Sequence, residues 1–168
     1  KCVIITAPGF QDEEVVYPYY RLMEEGHSVE VATKDGAVVY GKYGVPARAT
    51  MATTDLKSSN FDCVILPGGF EAPDRVRLLP EVQVFVREMD EQKKLVAAIC
   101  HGPWIMISAK VCKGRKMTAF WSIEEDIRNS GADYQHKVSV VIDDNFITSP
   151  HYNNNGDFMR AVINYLSS

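Results

Sequence analysis

The stretch Leu95-Val96-Ala97-Ala98-Ile99-Cys100-His101-Gly102-Pro103 runs apolar for five residues and then sets a thiol beside an imidazole. Cys100 is either one more small buried residue or a nucleophile with a base next to it. The flanking residues favour the nucleophile. A strand that turns sharply into a helix exposes its turn residue, and small neighbours let the backbone fold tightly beneath it. Ala98-Ile99-Cys100-His101-Gly102 has that small-x-nucleophile-x-small form. Cys100 is also expected at a helix N-terminus, where free N–H groups and the dipole favour a thiolate and lower its pKa.

Two other loops offer partners. In Leu66-Pro67-Gly68-Gly69 the glycines let the backbone come close to a reacting group. The N–H of Gly69, with that of His101, is the candidate oxyanion hole. The acidic run Asp12-Glu13-Glu14 reads first as a solvated helix start. One carboxyl group turned inward could still meet the thiol, and Glu14 is the candidate. Burial and a neighbouring thiolate would keep it partly protonated. His151, between Pro150 and Tyr152, is a rival base, a substrate contact or a pocket-wall residue.

These residues sit at the ends of a regular series of elements. Cys2–Thr6, His27–Thr33, Phe61–Leu66 and Leu95–Ile99 read as strands, three of them apolar on both faces as in a buried parallel sheet. Helical patterns follow at Glu13–Gly26, Glu81–Lys93, after Cys100 to about Lys110, at Ile123–Gly131 and at Asn154–Leu166. Ala37–Thr50 reads as a hairpin excursion, Arg115–Phe120 as a short strand, and Lys137–Pro150 as two strands around an Asp-Asn turn. The alternation predicts a mostly parallel, doubly wound sheet in a three-layer α/β/α sandwich. Residues 1–168 read as a single domain. Ligands of such sheets bind at the carboxyl ends of the strands, where the loops Pro8–Glu14, Pro67–Asp74 and Cys100–Pro103 fall.

Composition narrows the function classes. Of the 168 residues 46% are hydrophobic and 24% charged, with a formal net charge of −4. An acidic chain without a basic face argues against nucleic-acid binding, and no apolar run is long enough for a membrane span. The start, KCVIITAPGF, reads as a strand and not a signal peptide, with the initiator Met missing. The four cysteines show no C-x-x-C spacing, so a zinc ribbon, a redox pair or a disulfide scaffold is not expected. A cytoplasmic location follows as the default. Cys2 and Cys63 read as core, and His27 and His136 as structural. No metal-ligand, P-loop or dinucleotide signature occurs, so neither metal nor cofactor is expected.

The stretches GFQDEEVVYPYYRLMEEGHSVEVA, FDCVILPGG, APDRVRL, AAICHGP, GRKMTAF and IRNSGADY together resemble the PfpI/ThiJ superfamily over nearly the whole chain, most closely its PfpI-like branch. The resemblance implies a flavodoxin-like sandwich, related in architecture to class I glutamine amidotransferases. In it Cys100 corresponds to the nucleophile, Glu14 to the carboxylate against its sulfur, His101 to the catalytic histidine, and Gly69 and His101 to the oxyanion hole. Asp74 falls where PfpI-type proteases carry a Glu that reaches the histidine from a neighbouring subunit. That implies a homo-oligomer, dimer or hexamer. The amidotransferase architecture places a triad histidine after a late strand, where His151 stands. Three positions depart from the branch: Asp74 is one carbon shorter, Gln11 replaces a second acid, and Phe120 replaces a Tyr.

Three functions follow from one nucleophile. The first is a cysteine hydrolase of peptides or small amides. The second is a cofactor-independent glyoxalase III or deglycase acting on aldehydes such as methylglyoxal. The third is a non-catalytic sensor that oxidises at Cys100.

Overall fold

The structure, a computed structural model, describes residues 1–168. The central sheet is built from β1 (Cys2–Ile5), β2 (Val29–Thr33), β5 (Met51–Ala52), β6 (Cys63–Leu66), β7 (Leu95–Ile99), β10 (Val141–Asp143) and β11 (Phe146–Ser149). A hairpin, β3 (Val39–Tyr40) and β4 (Pro46–Ala47), and a parallel pair, β8 (Lys116–Met117) and β9 (Asp133–Tyr134), lie outside it. The helices are α1 (Asp12–Glu24), α2 (Glu71–Val76), α3 (Pro80–Glu91), α4 (Pro103–Ser108), α5 (Glu124–Asn129) and α6 (Asn155–Ser167).

The sheet order is β10-β11-β7-β6-β1-β2-β5, parallel except for β10. β1, β6 and β7 are buried at every residue, which explains why their sequences are apolar on both faces. Each such large aliphatic side chain contributes about 1.5–3 kcal/mol through burial. Cys2 and Cys63 face each other across β1 and β6 as buried free thiols. α1 and α6 pack together on one face, while α3 and α4 lie on the other. This is the three-layer α/β/α sandwich expected from the alternation of elements. No helix is long and apolar enough to cross a membrane.

One element differs from the sequence expectation, and the short strand expected in Arg115–Phe120 is present but lies outside the central sheet. The segment around Asp74 forms the short helix α2 and not a loop. Pro73 fits its first turn, where a missing N–H leaves no bond unmade, and Glu71 pairs with Arg75 one turn on at 3.2 Å. The strand in Arg115–Phe120 pairs only with β9. Arg115 still ties this region to the core: its guanidinium meets Asp90 at 3.1 Å and stacks 3.5 Å over Phe146.

The chain leaves β1 for β2 on one side, then returns to place β6 and β7 on the other. The switch point lies between β1 and β6, so the loops after β1, β6 and β7 meet at one edge. Gly102 makes the last of these turns possible, since a Cβ there would collide with the carbonyl oxygen of Leu66. Gly102→Ala is expected to lower stability by about 1–3 kcal/mol in urea unfolding; a loss under about 0.5 kcal/mol would show that α4 can simply shift.

Candidate active site

Glu14 is carried inward by the first turn of α1. Pro18, inside the same helix, cannot donate to the Glu14 carbonyl, and Asn155 of α6 donates from Nδ2 to the Glu13 carbonyl at 3.1 Å. The Glu14 side chain has no exposed surface. Its Oε1 accepts the Gly68 N–H at 2.8 Å, across the switch point, while Oε2 is buried without a hydrogen-bond partner. Burial, outweighing the Gly68 N–H, pushes the Glu14 carboxyl up to about 8, so it is protonated at neutral pH. A Cβ on Gly68 would lie 2.6 Å from Glu14 Oε1, 2.7 Å from Cys100 Cβ and 2.9 Å from the His101 nitrogen. Only glycine fits at this meeting of three loops.

Cys100 is held in the left-handed region, φ +61°, an uncommon conformation for a residue with a Cβ. Its N–H donates to Ser149 and its carbonyl accepts from Phe120, both at 2.9 Å. These two bonds pin the elbow between β11 and the segment after β8. Sγ lies 3.3 Å from His101 Nδ1, and the N–H groups of Gly69 and His101 both interact with the sulfur. Cys100 and His101 do face each other, although they are neighbours on a tight turn.

The expected lowering of the thiol pKa is not what the site produces. Burial, followed by the Glu14 charge, pushes Cys100 up to about 12 despite the two N–H groups. α4 is short and begins with a proline, so it offers little dipole to offset desolvation. The Glu14 contribution vanishes when that carboxyl is protonated, and its O–H then becomes a donor for the sulfur. With both groups pushed up, the pair carries two protons at neutral pH, one on each.

His101 is neutral, its pKa lowered to about 4 by burial and then by the positive charge of Lys42. Its ring stacks on Phe120 at 5.0 Å and meets Trp104 edge-on at 4.9 Å. Its Nε2 lies 3.4 Å from Ser122 Oγ. Asp74 sits exposed on α2 and makes no hydrogen bond to His101, so the imidazole has no carboxylate hydrogen-bond partner within the chain. His151 is not brought to the sulfur either. Its Nδ1 accepts the Asn153 N–H at 3.0 Å, and its ring stacks on Trp121 at 5.8 Å and Phe120 at 6.2 Å. The Phe120 ring thus stacks with both histidines.

Three contributors escape a reading of motifs. Asp12 accepts the N–H groups of Tyr43 and Val45, each at 3.0 Å, and so fastens the β3–β4 hairpin over the site. That places Lys42 at its edge, where Nζ donates to Gln11 Oε1 at 3.2 Å and lies 4.8 Å over the Phe70 ring. Ser122 faces His101. The one available signal was the glycine-bracketed Gly41-Lys42-Tyr43-Gly44 turn. No group of three or more His, Cys, Asp or Glu side chains is placed to hold a metal ion.

The model of the DJ-1/PfpI family matches residues 1–165. A Pyrococcus furiosus protein named Deglycase PfpI is 39% identical over 166 residues, covering 99% of both chains. Deglycase TK1284 of Thermococcus kodakarensis is 40% identical over 166 residues, with 99% of each chain covered. Among solved structures, a two-domain protein of Anabaena variabilis with DJ-1/ThiJ/PfpI-like and ferritin-like domains superposes with a TM-score of 0.95 at 36% identity. The match covers 99% of this chain and 48% of that one, so this chain spans about half of the two-domain protein.

Two expectations follow from the geometry. Gly68→Ala should cut any Cys100-dependent activity at least about 100-fold while leaving the far-ultraviolet spectrum native, because it displaces all three loops. Native-level activity would mean that the contact relaxes harmlessly. The second concerns pH. Native Glu14 holds its proton up to about 8 whereas unfolded Glu14 loses it near 4.5, so the native state binds the extra proton between those values. Stability supplied by neutral Glu14 is full below about 4.5 and declines as pH rises, by at most about 1.4 kcal/mol per unit. Urea midpoints compared with Glu14→Gln from pH 5 to 8 should show the wild type losing ground; parallel curves would refute a protonated Glu14.

Proposed function

The chain belongs to the DJ-1/PfpI family, and from that footing we propose that it is a cysteine-nucleophile enzyme for small carbonyl compounds, acting as a deglycase or glyoxalase on 2-oxoaldehydes and their adducts. One observation carries this reading: a recessed thiol lies between a protonated carboxyl group and a neutral imidazole. Acid, base and nucleophile are all present without a cofactor. The names of the two archaeal relatives point the same way.

The chemistry follows from the positions. As Sγ attacks the aldehyde carbon of methylglyoxal, His101 Nδ1 takes the thiol proton. The aldehyde oxygen gathers negative charge beside the Gly69 and His101 N–H groups and takes the Glu14 proton, giving a hemithioacetal. Glu14, now ionised, removes the proton from the former aldehyde carbon and returns it to the adjacent one, while His101 relays the hydroxyl protons. The product is a thioester of lactate on Cys100. Water cleaves it, restoring the thiol. The sum is methylglyoxal plus water to lactate, with no outside oxidant. A neutral His101 needs its proton affinity raised as the thiol is deprotonated. The Asp74 carboxylate of a neighbouring copy would do this, which fits its exposure on α2 and makes the working unit a homo-oligomer.

Amide or peptide hydrolysis is the second reading, favoured by the same two N–H groups, which suit a tetrahedral oxyanion. It fits less well. Cys100 is 7% exposed within aromatic walls, a poor seat for an extended peptide.

Purified protein given methylglyoxal should form lactate, and Cys100→Ser should lose at least about 1,000-fold in rate. Cleavage of a fluorogenic peptide with no lactate would replace this reading by the hydrolase. No turnover of either, with a gain of two oxygens at Cys100 under peroxide, would make the chain a sensor. Activity per chain should also disappear on dilution to a proven monomer; a fully active monomer would rule out Asp74 acting between copies.

A further inference from the structure

The Lys42 ammonium has no role in the steps above, yet it is held firmly at the site. Two Asp12 oxygens fix the turn that carries it. Gln11 Oε1 accepts from its Nζ, and Gln11 is itself buried and tied by its N–H to the Gly68 carbonyl at 3.2 Å. The Gln11 amide also donates to Glu13 at 3.1 Å, which fixes its oxygen toward Lys42. Phe70 covers the ammonium on one side and stands 6.4 Å from the His101 ring on the other. No carboxylate lies within ion-pairing distance of Lys42, although eleven ion pairs form elsewhere in the chain. The charge is felt at all three reacting groups: it adds to the fall that burial causes at His101 and weakly opposes the rise at Glu14 and Cys100.

A cation held at the rim of the site, across Phe70 from His101, and bonded only to a neutral amide oxygen has its counter-charge still to come. We infer that Lys42, oriented by Gln11, is the specificity determinant of the site, selecting carbonyl substrates that carry a carboxylate a few carbons from the reacting carbon. A Glu at position 11 would supply the counter-charge from within the chain and abolish the preference. Gln11 and Lys42 thus form a matched pair. Lys42 is exposed, so an anionic substrate adds a modest, salt-dependent factor in binding. This inference rests on the carbonyl chemistry proposed above for turnover, but not for its electrostatics.

Two measurements keep those apart. The first compares 4,5-dioxopentanoate with its methyl ester, which share the 2-oxoaldehyde and differ in the distal charge. Wild type should show a KM at least about 5-fold lower for the acid, with similar kcat. Lys42→Met and Gln11→Glu should each erase that difference, and Lys42→Arg should keep it. The second needs no turnover: alkylation of Cys100 by iodoacetate or iodoacetamide, in which Sγ displaces iodide from reagents differing in charge. The iodoacetate-to-iodoacetamide rate ratio should fall about 5–10-fold in Lys42→Met and in Gln11→Glu, remain high in Lys42→Arg, and be unchanged in the distant control Lys116→Met. An alkylation ratio that is the same in wild type and Lys42→Met overturns the inference. Failure to process either dioxo compound, with the alkylation ratio shifted as expected, would defeat the proposed reaction and leave the anion subsite standing.

Discussion

A carboxyl group with no exposed surface is expensive to bury, and Glu14 can be kept there only as an acid with a donor aimed at one of its oxygens. The Gly68 N–H is that donor. Because Gly68 follows β6 and Glu14 follows β1, their bond spans the point where the sheet reverses its winding order. The absence of a side chain at Gly68 then lets Cys100 and His101, from the end of β7, close on the same spot. Protonation of Glu14, the reach of the thiol and the seating of the imidazole are consequences of one contact between three loops.

The elements around that contact divide the labour. The buried strands hold the loop ends in register, while the elbow fixes the thiol through backbone bonds alone, to Ser149 and Phe120. Changes in side chains near Cys100 can therefore alter its environment without moving it. Phe120 is the clearest case: its ring supports His101 and reaches His151 through stacking, a platform that offers no hydrogen-bond donor.

Much of this was legible in the sequence because it is local. Apolar runs on both faces announce buried parallel strands, and Ala98, Gly102 and Gly69 announce the tight turns. Cys100, His101 and Gly69 are adjacent to those turns, so finding the turns finds the residues, whereas Glu14 lies in an acidic helix start that reads first as solvated. What stayed hidden depends on distance along the chain. Lys42 matters only because Asp12 clasps a hairpin some thirty residues away, and nothing at Gly41-Lys42 alone reveals that. The direction of the Cys100 pKa is hidden for the same reason: a helix start is visible locally, whereas burial and the Glu14 charge come from elsewhere. His151 follows the last strand of the sheet, as its place in the sequence suggested, but the width of an aromatic ring separates it from His101. Asp74 illustrates the converse, since its side chain is exposed on α2 and makes no contact with His101 within the chain.

The four free cysteines have one more consequence. Cys2 and Cys63 are sealed between β1 and β6, and Cys112 is 1% exposed with burial holding its thiol up to about 12. Cys100 alone opens toward solvent. A thiol count on the folded chain therefore reads the condition of a single atom, while the other three register only when the sheet itself comes apart. The molecule carries an internal gauge in which one sulfur reports the site and three report the fold.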